Sequence, residues 1–244
     1  CKYASGYFDK IASALDHAAQ VMHCDRETIE AIALYHEVCP FELSLDMALR
    51  ADLLVGDYNY IFDPVVRLKR FMNHPDMHLL TDEAHQLLPR AQDMLTVKLS
   101  RKSVRKAKSI SRTDIRARVN SMDRAFVKYR RGLPDGEHEL AALASVDRAA
   151  ARLVETVVKL EIDLADYPEL QDLYFDCLRW CRAQDWLGKG EFFCRITIDD
   201  RDGELGYVCI DPSPYLTEVS AEYASNIRFS ATLSPLPLNQ LVQG

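Results

Sequence analysis

The segment Met77-His78-Leu79-Leu80-Thr81, running directly into Asp82-Glu83-Ala84-His85-Gln86, constrains the fold of this 244-residue chain more than any other. A short apolar run that ends in two adjacent carboxylates reads as a buried strand with reactive groups at its carboxyl end. Open α/β sheets collect their ligand contacts at that end. Two neighbouring acids can divide the work there, one holding Mg²⁺ through oxygen and the other orienting an attacking water. The chemistry indicated is phosphoryl transfer. The alternative is a solvated helix start, where Asp and Glu complement the helix dipole.

The rest of the chain predicts an α/β fold with a large helical interruption. Tyr7, Phe8, Ile11, Ala14, Leu15 and Ala18 recur at helical spacing, and Asp25 can cap a second helix over Thr28 to Tyr35. Cys39-Pro40 breaks that run, and a short helix is expected over Glu42 to Ala51. Leu53-Leu54-Val55-Gly56 reads as a fully buried parallel strand, with Tyr58-Asn59-Tyr60 at its carboxyl end. A helix over Val65 to Met72 and the strand Met77 to Thr81 complete a βαβ-like unit. From Leu87 to Leu187 the pattern is almost wholly helical, with breaks at Gly132 to Gly136 and at Tyr167-Pro168. Phe192 to Ile198 and Leu205 to Ile210 flank an Asp-rich turn and predict a hairpin, and Asn226 to Ala231 a last strand.

No apolar run approaches the roughly 20 residues of a membrane span, and Cys1-Lys2-Tyr3 does not open a signal peptide. The expectation is a cytoplasmic chain, nucleoid-associated if bacterial, without membrane contact. Seven cysteines, an odd number without small-domain spacing, argue against a disulfide framework and leave buried thiols or metal ligands. The net charge of −7 hides an asymmetry. Residues 98–131 hold thirteen Lys/Arg against Asp114 and Asp123, a local +11, so the remainder carries −7 − 11 = −18. Such a segment suits a localised polyanion contact, although helices with a base every third or fourth position are also ordinary solvated faces. Few acids are present in the run to form i, i+4 pairs. Phe126 and the two tryptophans, Trp180 and Trp186, read as core, and Cys177 and Cys181 as packing residues on one helix face.

Four motifs in order, Cys39-Pro40-Phe41-Glu42, the stretch Ala51 to Pro64, Asp82-Glu83-Ala84-His85 and Ser230-Ala231-Thr232-Leu233-Ser234-Pro235, resemble the XPD/DinG family of iron-sulfur superfamily-two DNA helicases. The resemblance implies a partial P-loop (RecA-like) parallel-sheet motor domain, a large mostly α-helical arch insertion and a portion of a small helical iron-sulfur domain. It implies boundaries too: 1–45 as the latter part of the iron-sulfur domain, 46–91 and 226–244 as pieces of the first motor domain, and 92–225 as the arch ending in a hairpin. By resemblance Asp82 holds Mg²⁺, Glu83 polarises the attacking water, His85 senses the nucleotide, and Ser230, Ala231 and Thr232 couple hydrolysis to strand movement. Gln86 stands where family members often carry Asn.

The same resemblance makes Cys1 and Cys39 two of the four ligands of a 4Fe-4S cluster and leaves Cys24 structural. It implies ATP with Mg²⁺ as the nucleotide, and single-stranded DNA and duplex junctions as partners. DNA contacts are expected from Tyr58, Asn59 and Tyr60 and from Arg101, Lys102, Arg105 and Lys106. No Gly-x-x-x-x-Gly-Lys-Ser/Thr occurs, and Gly188-Lys189-Gly190 does not make one. The expectation is therefore an internal piece of a 5′ to 3′ helicase that is inactive alone. The competing readings are a non-catalytic nucleic-acid-binding module of helicase ancestry and a helical scaffold with a fortuitous acidic tetrapeptide.

Overall fold

The computed structural model describes residues 3, 6–72, 75–200 and 202–233. It resolves into two compact units, 1–57 and 58–244. Cys1, Ser234 and Pro235, which carried expectations above, lie outside the described residues.

The first unit is built from α1 (Tyr7–Ala19), α2 (Arg26–His36) and α3 (Pro40–Ala48). Ala14 and Ala18 of α1, Ile32 and Ala33 of α2, Val38 and Leu43 form its small core. Asp25 caps α2 as predicted, its carboxylate accepting from the Thr28 N–H at 2.9 Å. Pro40 opens α3 at its first turn, where a missing N–H costs nothing, so this helix begins and ends a little earlier than expected. Leu53 to Gly56 is not the predicted strand. These residues have no regular structure and Val55 is 94% exposed. An apolar run becomes a parallel strand only when flanking strands take up its amides, and no described strand pairs with it.

In the second unit the residues after Tyr58 also depart from the prediction. A single helical turn, α4 (Asn59–Phe62), comes first, and the expected helix over Val65 to Met72 is replaced by a turn and a 3₁₀ segment at Lys69–Phe71. Asp63 explains the change: its Oδ1 accepts from the N–H groups of Val65 and Val66 at 2.8 and 3.1 Å, closing a side-chain turn that competes with helix. Strand β1 (His78–Thr81) then pairs in parallel with the last strand, here called β6 (Ser225–Arg228), Thr81 facing Arg228. β1 forms where predicted, but only Thr81 is buried and Leu80 is 63% exposed, since a two-stranded sheet offers one neighbour rather than two.

Everything between those strands is one inserted body. It contains α5 (Leu87–Leu95), β2 (Val97–Ser100), α6 (Arg101–Ala107), α7 (Thr113–Arg130), β3 (Gly136–Leu140), α8 (Ala144–Lys159), α9 (Pro168–Ala183), β4 (Glu191–Asp199), β5 (Asp202–Asp211) and α10 (Ser213–Ser220). The strands form an antiparallel sheet in the order β2-β5-β4-β3. The β4–β5 hairpin was legible; at its turn Gly203 is required, because a Cβ there would meet the Thr197 carbonyl at 2.8 Å. Strand β2 interrupts what the sequence presented as helix, and β3 follows the break expected at Gly132 to Gly136. Each is only four or five residues long and borrows its regularity from the hairpin edge it joins. The helices pack on the sheet through one continuous core that includes Leu95, Leu99, Phe126, Leu153, Trp180, Trp186 and Leu205. Two buried indoles are tied into it: Trp180 Nε1 donates to Asp147 at 2.8 Å and Trp186 Nε1 to the Leu95 carbonyl at 3.0 Å.

Candidate nucleotide-hydrolysis site

The parallel ladder does not stop at the strand ends. The Phe229 N–H donates to the Thr81 carbonyl and the Ala84 N–H to the Phe229 carbonyl, both at 3.0 Å, so the segments after β1 and β6 are held side by side. The Thr81 hydroxyl adds a cross-strand bond to Asn226 Oδ1 at 3.2 Å. The two motifs separated by residues 86–229 in sequence therefore meet.

Asp82 and Glu83 are exposed beyond the end of β1. Asp82 Oδ1 accepts from the Glu83 N–H at 2.7 Å, which fixes that oxygen and leaves the other for a ligand. Glu83 has φ 47 and ψ 41, a left-handed conformation uncommon for a residue with a side chain. This kink separates the directions of the two acids. Downstream, a 3₁₀ turn over Ala84–Gln86 brings His85 back toward the strand from the other side.

His85 Nδ1 lies 2.8 Å from Ser230 Oγ and 3.2 Å from Glu83 Oε2, and the Ser230 hydroxyl donates to Glu83 Oε2 at 3.1 Å. The Thr232 N–H donates to Ser230 Oγ at 3.2 Å, and the two hydroxyl oxygens are 3.4 Å apart. One set of proton positions satisfies all of these distances: His85 carries its proton on Nδ1 and donates to Ser230, whose own proton points to Glu83. The result is a polar chain of imidazole, hydroxyl and carboxylate linking both strand ends. Ala231 sits exposed in the turn between the two hydroxyl residues.

Tyr58 reaches the same place, its hydroxyl donating to the Asp82 carbonyl oxygen. The Arg90 guanidinium of α5 lies 4.7 Å over the Tyr58 ring and 3.5 Å from Asn59 Oδ1. Arg90 is thus part of the site, and nothing in its spacing singled it out. Tyr60 sits in α4, its carbonyl accepting from the Leu68 N–H at 3.0 Å. Mg²⁺ is a hard cation that takes one or two carboxylates together with waters and phosphates. An exposed Asp82 with one oxygen free fits that donor set.

The α6 cations stand in the inserted body, in a setting the sequence did not suggest. Acids are scarce within residues 98–131, yet the fold brings Asp172 and Asp202 from outside the run and turns the run's own Asp123 toward α6. Arg105 meets Asp202 at 2.9 Å, Lys106 meets Asp172 at 2.6 Å, and Asp123 stands 3.6 Å from Arg101 and 2.5 Å from Lys108. Lys102 is exposed.

Of the two cysteines expected to hold a cluster, Cys39 falls among the described residues, just before α3. Cys24 packs its thiol 3.6 Å from Met47 Sδ, and burial, followed by the charge of Asp25, pushes that thiol above its usual range. Burial likewise raises Cys177 well above the thiol range, as expected for a packing residue. Among the described residues no three His, Cys, Asp or Glu side chains gather into a metal-ligating group, so those present do not by themselves fit a four-iron cluster. No helix among them is long and apolar enough to cross a membrane.

Residues 1–104 match the family model DEAD_2. Among curated proteins the chain is similar to two proteins called regulator of telomere elongation helicase 1 homolog. The one from Anopheles gambiae is 26% identical over 83 residues, covering 33% of this chain and 8% of the relative. The one from Caenorhabditis briggsae is 27% identical over 108 residues, covering 42% of this chain and 11% of the relative. The chain thus spans about a tenth of the length of the relatives it matches. A solved structure titled XPD helicase shares the fold with a TM-score of 0.56 at 17% identity, over 89% of this chain and 38% of its own.

Proposed function

We infer that this chain, a member of the XPD/DinG family of superfamily-two helicases, supplies half of an ATPase site and the arch to an ATP-dependent helicase that moves 5′ to 3′ on single-stranded DNA and opens duplex junctions. The observation that carries this reading is the polar chain from His85 through Ser230 to Glu83, which joins the acidic motif to the hydroxyl motif.

In this reading residues 46–91 and 226–244 are motor pieces, 92–225 the arch, and 1–45 part of an iron-sulfur domain. Asp82 holds Mg²⁺, which when bound neutralises developing charge on the transferring phosphoryl group. Glu83 accepts a hydrogen bond from the attacking water and orients it. Because Ser230 donates to the same carboxylate, any change in what Glu83 binds is felt at the turn after β6. That is the physical content of coupling hydrolysis to strand movement. Tyr58, Asn59 and Tyr60 contact the DNA strand in this reading, and Arg90 lies over the Tyr58 ring. Cys1 and Cys39 are proposed as two of four cluster ligands, and no step is derived through the cluster.

The test is ATP hydrolysis stimulated by single-stranded DNA. Glu83→Gln in the parent protein is expected to lower kcat about 10²–10⁴-fold, the usual worth of a positioned base. The 244-residue chain alone is expected to show no turnover. Full activity of the Glu83→Gln parent removes Glu83 from the chemistry, and robust turnover by the chain alone removes the half-site reading and with it the inactivity expected above.

A further inference from the structure

The inserted body carries a cationic groove that the basic run only half announces. Helices α7 and α8 pack antiparallel: Arg118 Nε donates to Thr156 Oγ1 at 3.1 Å near one end, and Tyr129 Oη accepts from the Ser145 N–H at 3.4 Å near the other. Along their seam runs an open groove of about 270 Å³. From α7 it is lined by Ser121, Arg124, Ala125 and Lys128, and from α8 by Ser145, Arg148, Ala149 and Arg152. Both helices contribute the same i, i+3, i+4, i+7 pattern, which keeps one face of each turned to the seam. Small residues form the floor and long cations the two walls.

Two features distinguish this groove from the ion-paired part of the basic surface. First, no carboxylate lines it, and none of its four exposed cations meets one among the described residues. The exposed α6 cations Arg105 and Lys106, by contrast, are each ion-paired. The acids of the neighbourhood face elsewhere: Asp147 of α8 accepts from Trp180 and Tyr207 inside the core, and Asp123 of α7 faces Arg101 and Lys108. Lys128 stands 5.5 Å over the Tyr129 ring, which holds its ammonium at the rim. Second, Ser145 Oγ is buried with no hydrogen-bond partner in the structure. A buried hydroxyl is rarely left so, and this one lies beneath the cationic groove.

We propose that the α7–α8 seam binds successive phosphates of a single DNA strand without reading its sequence. Four unpaired cations in two rows, each pair about 6 Å apart along its helix axis, give a track rather than a point site. The lining holds no aromatic ring on which a base would stack, so the backbone is what it recognises. The bases that carry it on α8, Arg148 and Arg152, lie outside residues 98–131. The proposal rests on the helicase reading only in naming DNA as the source of the phosphates.

The experiment measures the affinity of the parent protein for oligo(dT) against salt by fluorescence anisotropy. Arg148→Gln with Arg152→Gln should reduce the slope of log K against log salt by about 1.4, at roughly 0.7 per lost contact. The Lys pair at the same positions should keep the slope. Arg105→Gln with Lys106→Gln, which removes ion-paired cations, should change it far less. All four groove cations are exposed, and the Lys pair controls for any fault in folding. An unchanged slope in the Arg148/Arg152 variant overturns the proposal, as does an equal loss in the Arg105/Lys106 variant. Inorganic tripolyphosphate bound as tightly as the oligonucleotide also overturns it, since a track gains from length. Failure here leaves the Glu83→Gln result standing; loss of DNA-stimulated ATPase on Glu83→Gln with an unchanged salt slope would retain the motor and discard the groove.

Discussion

The parallel pair β1–β6 and the antiparallel sheet β2-β5-β4-β3 sit in one unit and are stabilised in opposite ways. The antiparallel sheet is covered by helices and its hairpin side chains Ile196, Ile198 and Leu205 are buried. The parallel pair leaves Leu80, Ile227 and Phe229 exposed and holds mainly by backbone bonds. The groups proposed to react, Asp82, Glu83, His85 and Ser230, all follow the weakly buried pair. On the proposed function, stability and chemistry fall to different parts of the chain, and substitutions should separate them.

The largest separation comes from leucine truncation. Leu153→Ala, in the fully buried core of α8, should cost about 2–5 kcal/mol, while Leu80→Ala on exposed β1 should cost under about 1 kcal/mol. Urea denaturation of the two variants decides it, and equal losses would mean that the parallel pair is as much a core as the insert. Next in size is the loss of polar ties. Asp147→Ala strands the Trp180 N–H and the Tyr207 hydroxyl, for about 1–3 kcal/mol. Thr81→Val removes one cross-strand bond and should cost nearer 1 kcal/mol. Thermal melts that reverse this order would contradict the contrast.

The smallest effect is one of pH. Burial raises the Asp176 carboxyl above its usual range; the hydrogen bond from Ser103 at 2.9 Å opposes this, and the charges of Asp172 and Glu204 add to it. A raised acid keeps its proton longer in the folded state than in the unfolded one. Its contribution is thus favourable at low pH and lost as pH rises from the ordinary carboxylate value through the raised one. Melting temperatures of Asp176→Asn should lack that decline, while the wild-type protein shows it.

The sequence disclosed those elements whose cause is local. Asp25 capping α2 and the Asp-rich turn between β4 and β5 are written in adjacent residues, and both formed as expected. Strands β2 and β3 are too short to show a period, and Leu53 to Gly56 has the composition of a strand without a partner to make it one. In the candidate site, Asp82, Glu83, His85 and Ser230 were named from sequence, and their convergence follows from the parallel register. Arg90 was invisible because its role depends on the Tyr58 ring beneath it. Charge along residues 98–131 gave only part of its setting for a related reason: Asp172 and Asp202 are remote in sequence and adjacent in space. Arg148 and Arg152 repeat the spacing of Arg124 and Lys128, a signal that appears only once the two helices are known to be neighbours.

Strands β1 and β6 are joined through the whole inserted body, and this sets an order of assembly. Two short strands so far apart in sequence gain little from pairing while the chain between them is unfolded, because the closure entropy precedes the reward. Once the insert has collapsed on its own core, its ends emerge together, and the Ala224 N–H reaches the Met77 carbonyl at 2.8 Å. The parallel ladder is then the last region to acquire amide-exchange protection and the first to lose it. The cluster of His85, Ser230 and Glu83 thereby reports on the insert: it exists only in molecules whose inserted body has already folded.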